Sequence, residues 1–270
     1  MSNPLGQITA YPSAYDAGLL FPIPRTQSRA ELGISEPLPF RGYDAWRAYE
    51  LSWLDSHGKP VVAIGEFLFP VTSVNLVESK SFKLYLNSLN QERFDSFSAV
   101  EELVARDLGA VAQCPVLVKL WGLREAGTAL EVPQGHCLDT LDIAPTLYTP
   151  EPQLLSTDQR GLLTETLYSD LFRSNCPVTS QPDWGTVVIR YTGQGIDHAS
   201  LLRYLISFRN HEGFHEECAE RIFRDLQVHC APQSLSVAIN FLRRGGLEIN
   251  PVRSTDPTQI EFPAGRYSRQ

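Results

Sequence analysis

The spacing of apolar residues changes several times along the chain. Tyr43 to Leu54 (YDAWRAYELSWL) is rich in aromatics and Val61 to Phe69 is β-type, so with the turn Ser56-His57-Gly58-Lys59 between them the spacing predicts a hairpin. Glu78 to Leu86 (ESKSFKLYL) is helix-like, and a polar break near Asn90 and Gln91 follows. Ser98 to Leu108 then sets Val100, Leu103, Val104 and Leu108 on one helical face, and Cys114 to Leu123 is again β-like. Further on come a segment ending at Cys176, a turn region to Asp183, a strand from Thr186 to Tyr191 and the glycine-flanked stretch Thr192-Gly193-Gln194-Gly195, predicted as a hairpin turn. A helix capped by Asp197 carries Leu201, Leu202, Leu205 and Phe208, and a second, His215 to His229, aligns Cys218, Ile222 and Leu226. Two strands meet near Arg243-Arg244-Gly245-Gly246. Strand, strand, helix, helix, strand, strand, twice over, predicts an α+β fold of antiparallel sheets with helices on one face.

The recurrence extends to residue identities. Tyr85-Leu86-Asn87-Ser88-Leu89 matches Tyr204-Leu205-Ile206-Ser207-Phe208, Phe94 matches Phe214, and Arg106-Asp107-Leu108 matches Arg224-Asp225-Leu226. The halves differ where chemistry is concentrated: HEGFHEEC stands against QERFDSFS, and ESKS has no counterpart. The expected organisation is an extended arm over 1–43, with six prolines in its first forty residues, a first half over 44–130, a proline-rich connector over 131–160 and a second half over 161–270.

Composition narrows the function classes. With 270 residues, 43% hydrophobic and 20% charged, the chain can bury a proper core as a soluble globular protein. A net charge of −8 argues against a nucleic-acid-binding surface as the main feature. No apolar run reaches the length that spans a bilayer, and the opening MSNPLGQITAYPS has no signal-peptide pattern. The five cysteines, Cys114, Cys137, Cys176, Cys218 and Cys230, lack framework spacing and read as reduced thiols in a cytoplasm.

Several motifs carry two readings each. HEGFH (211–215) matches the H-E-x-x-H pattern, so a zinc hydrolase using His211, Glu212 and His215 is one alternative; Gly213 and the repeat, which starts the helix near 214, weigh against it. Cys114, His136 and Cys137 make a weaker metal set without a C-x-x-C pair. Cys176, in SNCPVTSQPDWG, is either a buried structural cysteine or a nucleophile sharing a proton with Asp183 seven residues on. Glu78, Ser79, Lys80 and Ser81 are either a helix start or an anion and amide recognition loop. Arg243-Arg244-Gly245-Gly246 is either an exposed turn or a phosphate clamp.

Taken together, ESKSFKLYL, SNCPVTSQPDWG, SFRN followed by FHEEC, and RRGGLEINPVRS resemble the QueF family, the NADPH-dependent 7-cyano-7-deazaguanine reductases of queuosine biosynthesis, in its long, two-half form. The resemblance implies two tandem tunnelling-fold (T-fold) units and a homodimer. It also implies that Cys176 is the nucleophile that turns the nitrile into a thioimide, with Asp183 the proton donor and His215 assisting. Glu78, Ser79, Lys80, His215 and Glu216 would bind the deazaguanine, and Lys80, Ser81, Arg244 and Gly245 would touch NADPH. No metal, membrane or direct nucleic-acid contact enters this scheme. A non-catalytic T-fold module binding a purine or pterin is the remaining alternative.

Overall fold

Aromatic and β-branched side chains build the predicted first hairpin, Arg41–Leu54 against Pro60–Pro70. The structure, a computed structural model, describes residues 11–125, 130–259, 266–268 and 270; the opening stretch of the expected arm, 1–10, lies outside them. In chain order the elements are β1 (Pro22–Pro24), α1 (Arg25–Glu31), β2 (Arg41–Leu54), β3 (Pro60–Pro70), β4 (Asn75–Val77), α2 (Ser79–Ser88), α3 (Phe97–Ala112), β5 (Leu117–Gly122) and β6 (Leu130–Glu131). They continue with β7 (His136–Cys137), β8 (Thr157–Asn175), β9 (Pro182–Ile196), α4 (His198–Ser207), α5 (His215–Cys230), β10 (Ser234–Phe241), β11 (Leu247–Ser254) and β12 (Arg266–Tyr267). No helix among the described residues is long and apolar enough to cross a membrane.

Eight strands form one sheet in the order β5-β3-β2-β11-β10-β9-β8-β7, antiparallel throughout except for the short β7–β8 pair. The fold is therefore mixed α+β, as the pattern predicts. The halves meet where β11 pairs with β2, Leu247 opposite Ala48 through Ser254 opposite Arg41. Each half keeps its own apolar cluster: Trp46, Phe67, Phe82, Val100, Val104 and Leu108 in the first, Phe172, Ile189, Leu201, Phe208, Ile222 and Phe241 in the second. After α3, β5 is the one strand of the first half that joins the large sheet among the described residues; β6 pairs with β12 instead.

The helix pairs are held alike in both halves. Tyr85 and Tyr204 donate to Asp107 and Asp225 at 2.8 and 2.7 Å. Ser81 Oγ accepts from Phe21 N at 3.0 Å and Ser200 Oγ from Ser156 N at 3.2 Å, while Ser88 Oγ accepts from Asp16 N and Ser207 Oγ from Glu151 N, each at 3.3 Å. Segments 16–21 and 151–156, expected as parts of an arm and a connector, thus make equivalent contacts with equivalent helices.

Two expectations are corrected. Gly193-Gln194-Gly195 is not a turn: it lies inside β9, with Gly193 opposite Leu163 and Gln194 opposite Leu162. The glycines answer to crowding, since a Cβ at Gly193 would stand 2.9 Å from Pro232 Cα and one at Gly195 2.4 Å from Asp158 Oδ1. The arm is also not extended throughout, because residues 25–31 form α1. What α1 buries is polar: Arg25 and Arg29, one turn apart, face inward to Asp44 and Glu220. A helix that buries arginines has no apolar periodicity to betray it.

Candidate active site

Strand ends and helix starts from both halves converge on one cleft. It encloses about 440 Å³ of empty space, partly open to solvent, and Trp46, Leu76, Val77 and Ile249 form an apolar wall. Around that wall stand Glu78, Ser79, Cys176, Asp183, His215, Glu216 and Arg244. A few convergent polar groups on an apolar surface is the usual make-up of a small-molecule site.

Cys176 opens the loop that turns β8 into β9, and Asp183 stands at the start of β9, paired with Ser174 of β8. The loop is closed by Cys176 N donating to Gln181 O and Ser180 N donating to Cys176 O, both at 2.9 Å, with Ser180 at φ 54°. Ser180 Oγ donates to Glu212 Oε1 at 2.7 Å, fastening the loop to the segment ahead of α5. Burial alone would push the Cys176 thiol up, but the Thr179 hydroxyl, the Val178 and Thr179 amides and the Arg244 guanidinium outweigh it and leave the thiol below its ordinary value. Half-buried Cys176 thus has the lowered thiol pKa and partial exposure that a nucleophilic cysteine needs. By contrast, burial raises buried Cys218 and Cys230.

Asp183 is 3% exposed and sits between two partners, Arg244 NH2 at 3.0 Å from Oδ1 and His215 Nε2 at 3.3 Å from Oδ2. The His215 ring stacks on Phe241 with centroids 3.8 Å apart and planes 14° apart, and its Nδ1 is buried without a hydrogen-bond partner. Arg244 is steadied by donating to Gln181 Oε1 at 3.0 Å. The imidazole and carboxylate are thus held in one orientation toward the cleft.

Helix α5 begins at His215, so HEGFH is not one helical turn. His211 lies ahead of the helix, its ring edge-on to Phe208 and its Nε2 3.7 Å from Glu217, while His215 turns to Asp183. Burial, helped by Arg221, lowers His211 to about 4. The paired imidazoles that the zinc reading needs do not form, and no group of three metal-type ligands occurs among the described residues.

Glu216 follows His215 into the cleft. It is 4% exposed and its Oε1 has no hydrogen-bond partner. Burial, and next the negative charge of Asp44, raise it to about 7 against the pull of Arg25 and Arg253. Glu78 caps α2, accepting from Lys80 N at 2.8 Å and Ser81 N at 2.7 Å. The helix-start reading is therefore realised, with the carboxylate at the cleft edge.

Not every expected residue reaches the cleft. The Ser81 hydroxyl is spent on the helix start, donating to Glu78 O at 2.7 Å and accepting from Phe21 N. Lys80 is exposed outside the cleft lining, and Gly245 lies in a neighbouring groove with Glu50, Lys83, Asn87 and Gly246. Lys83 escaped the sequence reading although it stands within ESKSFK, one turn beyond Lys80. Burial and then the charge of Arg244 lower its pKa. At Gly245, where φ is +54°, a Cβ would approach Lys83 Cε and Nζ to 3.4 Å. Lys80, Lys83, Arg243 and Arg244 suit a ligand carrying phosphates, in a chain whose overall charge is −8. Ile23 and Phe214 also line the cleft, and their apolar side chains offered no distinguishing signal.

Comparisons with known proteins give the family of the chain. A family model described as nitrile reductase, 7-cyano-7-deazaguanine-reductase N-term, matches residues 11–120, and one described as QueF-like protein matches residues 182–259. Proteins named NADPH-dependent 7-cyano-7-deazaguanine reductase are similar over nearly the whole chain. The one from Dechloromonas aromatica (strain RCB) is 56% identical over 94% of this chain and 90% of its own. The one from Coxiella burnetii (strain CbuK_Q154) is 55% identical over 94% and 92%. The one from Burkholderia ambifaria is 54% identical over 93% of each. The crystal structure of the archaeosine synthase QueF-Like in the apo form overlays with a TM-score of only 0.31, at 20% identity, over 36% of this chain and 95% of that chain. Matched by these family models across both sides of the cleft, and by full-length relatives at more than half identity, the chain belongs to the QueF family of nitrile reductases.

Proposed function

We propose that this protein is an NADPH-dependent nitrile reductase that converts 7-cyano-7-deazaguanine to its aminomethyl form, the reaction for which its relatives are named. The observation that carries the reading is the cleft that gathers Cys176, Asp183, His215 and Glu216 from one half with Glu78 and Ser79 from the other. Glu216 and Glu78 accept hydrogen bonds from the ring N–H and exocyclic amine of the base, and the apolar wall covers its faces. Ser79 and the His215 ring limit its position in the cleft.

As Cys176 Sγ adds to the nitrile carbon, the thiol proton passes to the Asp183–His215 pair. A π electron pair of the nitrile moves to nitrogen, which takes that proton from Asp183 and leaves a thioimide. Arg244 and His215 stabilise the Asp183 carboxylate that results. NADPH, when bound, would supply a hydride, and two NADPH in turn would supply the four electrons that nitrile-to-amine reduction needs. Lys80, Lys83, Arg244 and the backbone at Gly245 hold its phosphates; Ser81 contributes by keeping the start of α2 in place. Asp183→Asn is expected to slow NADPH oxidation about a hundredfold or more through loss of the proton relay, with the base still bound; a normal turnover rate would refute that role.

The paired N–H donors require Glu216 in its charged form. Affinity for the base is therefore expected to rise with pH through about 7 and to fall below it, as the protonated carboxyl loses an acceptor. Calorimetric titration in the Cys176→Ala background, where binding is noncovalent, measures this directly.

Two tandem T-fold units and a homodimer belong to the same proposal. They are supported by the equivalent helix pairs and by β5, an outer sheet edge with Leu117 70% exposed; sedimentation as a monomer would contradict the dimer. Five unbridged cysteines support a cytoplasmic setting. The decisive test of function is NADPH oxidation with 7-cyano-7-deazaguanine present and absent, together with intact-mass detection of the adduct when NADPH is withheld.

A further inference from the structure

The N-terminal segment is built into the cleft rather than laid over it. Strand β1 pairs with β4 immediately ahead of Glu78, with Pro22 opposite Val77 and Ile23 opposite Leu76. Glu78 N donates to Phe21 O at 2.9 Å, and Ile23 lines the cleft. Two residues on, Arg25 is 3% exposed. Its Nε donates to Ser73 Oγ at 2.9 Å, its NH2 bonds Asp44, and its NH1 lies 3.9 Å from Glu220 Oε1.

Glu220 stands one turn after Glu216 on the buried face of α5. It also takes Arg29 at 2.8 Å and Arg253 at 2.9 Å, and Arg253 reaches Asp44 at 2.8 Å. Three buried guanidiniums thus face two buried carboxylates, which leaves one positive charge unmatched in the interior. Glu216, the third carboxylate on this face, balances the set only when ionised, and its Oε1 is buried with no partner of its own. A carboxylate that is desolvated and unpaired is poised for a ligand that brings N–H donors.

We propose that Arg25 is a positioning residue of the cleft, holding the Glu216 carboxylate in its charged, hydrogen-bond-accepting form through the buried ion network. The ligand concerned is the deazaguanine base, so this part rests on the functional reading above. The charged and titratable groups around Glu216 are His215 and Glu220 on its own helix, Asp44 on β2, Arg253 on β11, Arg25 and Arg29 on α1, and Glu78, Asp183, Cys176 and Arg244 across the cleft. Of these, Arg25 alone joins the cleft wall supplied by β1 to the network behind Glu216.

The test compares Arg25→Met and Arg25→Lys with the parent in the Cys176→Ala background, measuring affinity for 7-cyano-7-deazaguanine against pH. In Arg25→Met the midpoint of the affinity rise is expected to move up by about one unit, from the loss of a neighbouring opposite charge. With the midpoint starting near 7, affinity at neutral pH then falls about fivefold and recovers in alkali. Arg25→Lys, which keeps the charge, is expected to retain the parental midpoint. A loss uniform across pH, or an unchanged curve, would overturn the proposal. The Glu216 carboxyl is also titrated by carbon NMR without ligand, its signal assigned from Glu216→Gln. Should Arg25→Met not fold, a parental Glu216 that remains protonated well into alkaline pH overturns the proposal, and titration near neutrality supports it. Should the parent bind no base at any pH, the functional reading fails, while the NMR midpoints of parent and Arg25→Met still decide the role of Arg25.

Discussion

Cys176→Ala is expected to yield a folded protein that binds 7-cyano-7-deazaguanine and reduces essentially none of it. Loss of a covalent nucleophile costs at least about a thousandfold in turnover, because what remains is binding without the bond that makes the nitrile reducible. Stability is expected to stay within about 0.5 kcal/mol of wild type. The loop is closed by backbone bonds, Cys176 N to Gln181 O and Ser180 N to Cys176 O, which the substitution leaves alone. Stopped NADPH oxidation, a missing adduct in the intact mass and an unaltered melting curve together check this. Undiminished turnover would remove Cys176 from the reaction and with it the proposed chemistry.

Arg253→Met is expected to have the largest effect on stability, about 3–5 kcal/mol, read as a lower urea midpoint. Arg253 is fully buried and bonds Asp44 at 2.8 Å and Glu220 at 2.9 Å. Without it both carboxylates remain in the interior with one cation fewer, and that loss is a large part of the roughly 5–15 kcal/mol holding an ordinary domain together. Burial would raise Asp44 and Glu220, but the guanidiniums of Arg25, Arg29 and Arg253 hold both below the usual carboxylate range. The sign follows from linkage: a lowered folded pKa contributes stability that is present above the unfolded value, near pH 4, and is lost as pH falls through the folded value. Wild type is therefore expected to lose stability in acid below about pH 4, and Arg253→Met to show a shallower dependence there. A variant with an unchanged urea midpoint would mean that the network contributes little to stability.

Much of this was legible in the chain. Val100, Val104 and Leu108 announced α3 by spacing alone, and all three are buried. Cys176, Asp183, His215 and Glu216 were singled out through the family resemblance rather than by spacing, and all four line one cleft. The failures share a cause. Gly193 and Gly195 resemble a turn, but their lack of side chains accommodates Pro232 and Asp158, contacts that local sequence does not contain. Helix α1 was missed because its buried face is Arg25 and Arg29, whose partners lie 19 residues away at Asp44 and 191 away at Glu220. Lys83 was passed over because only folding brings it a cationic neighbour, Arg244 of the other half.

The sequence by itself determined the alternation of strands and helices, the internal echo and the residues able to do chemistry, because periodicity and side-chain type are local properties. Only the tertiary structure decided where each motif lies and which others it meets. Pairing of β2 with β11 carries the second half's Cys176 and Glu216 to the first half's Glu78, and the surrounding charges then set their states. ESKS is a helix start and a cleft edge together, while Ser81 faces inward to Phe21. The Cys176 thiol pKa is lowered, against the effect of burial, because the loop aims amides, a hydroxyl and Arg244 at its sulfur. Proton affinities depend on burial and on charges brought close by folding, and neither exists until the chain has closed on itself.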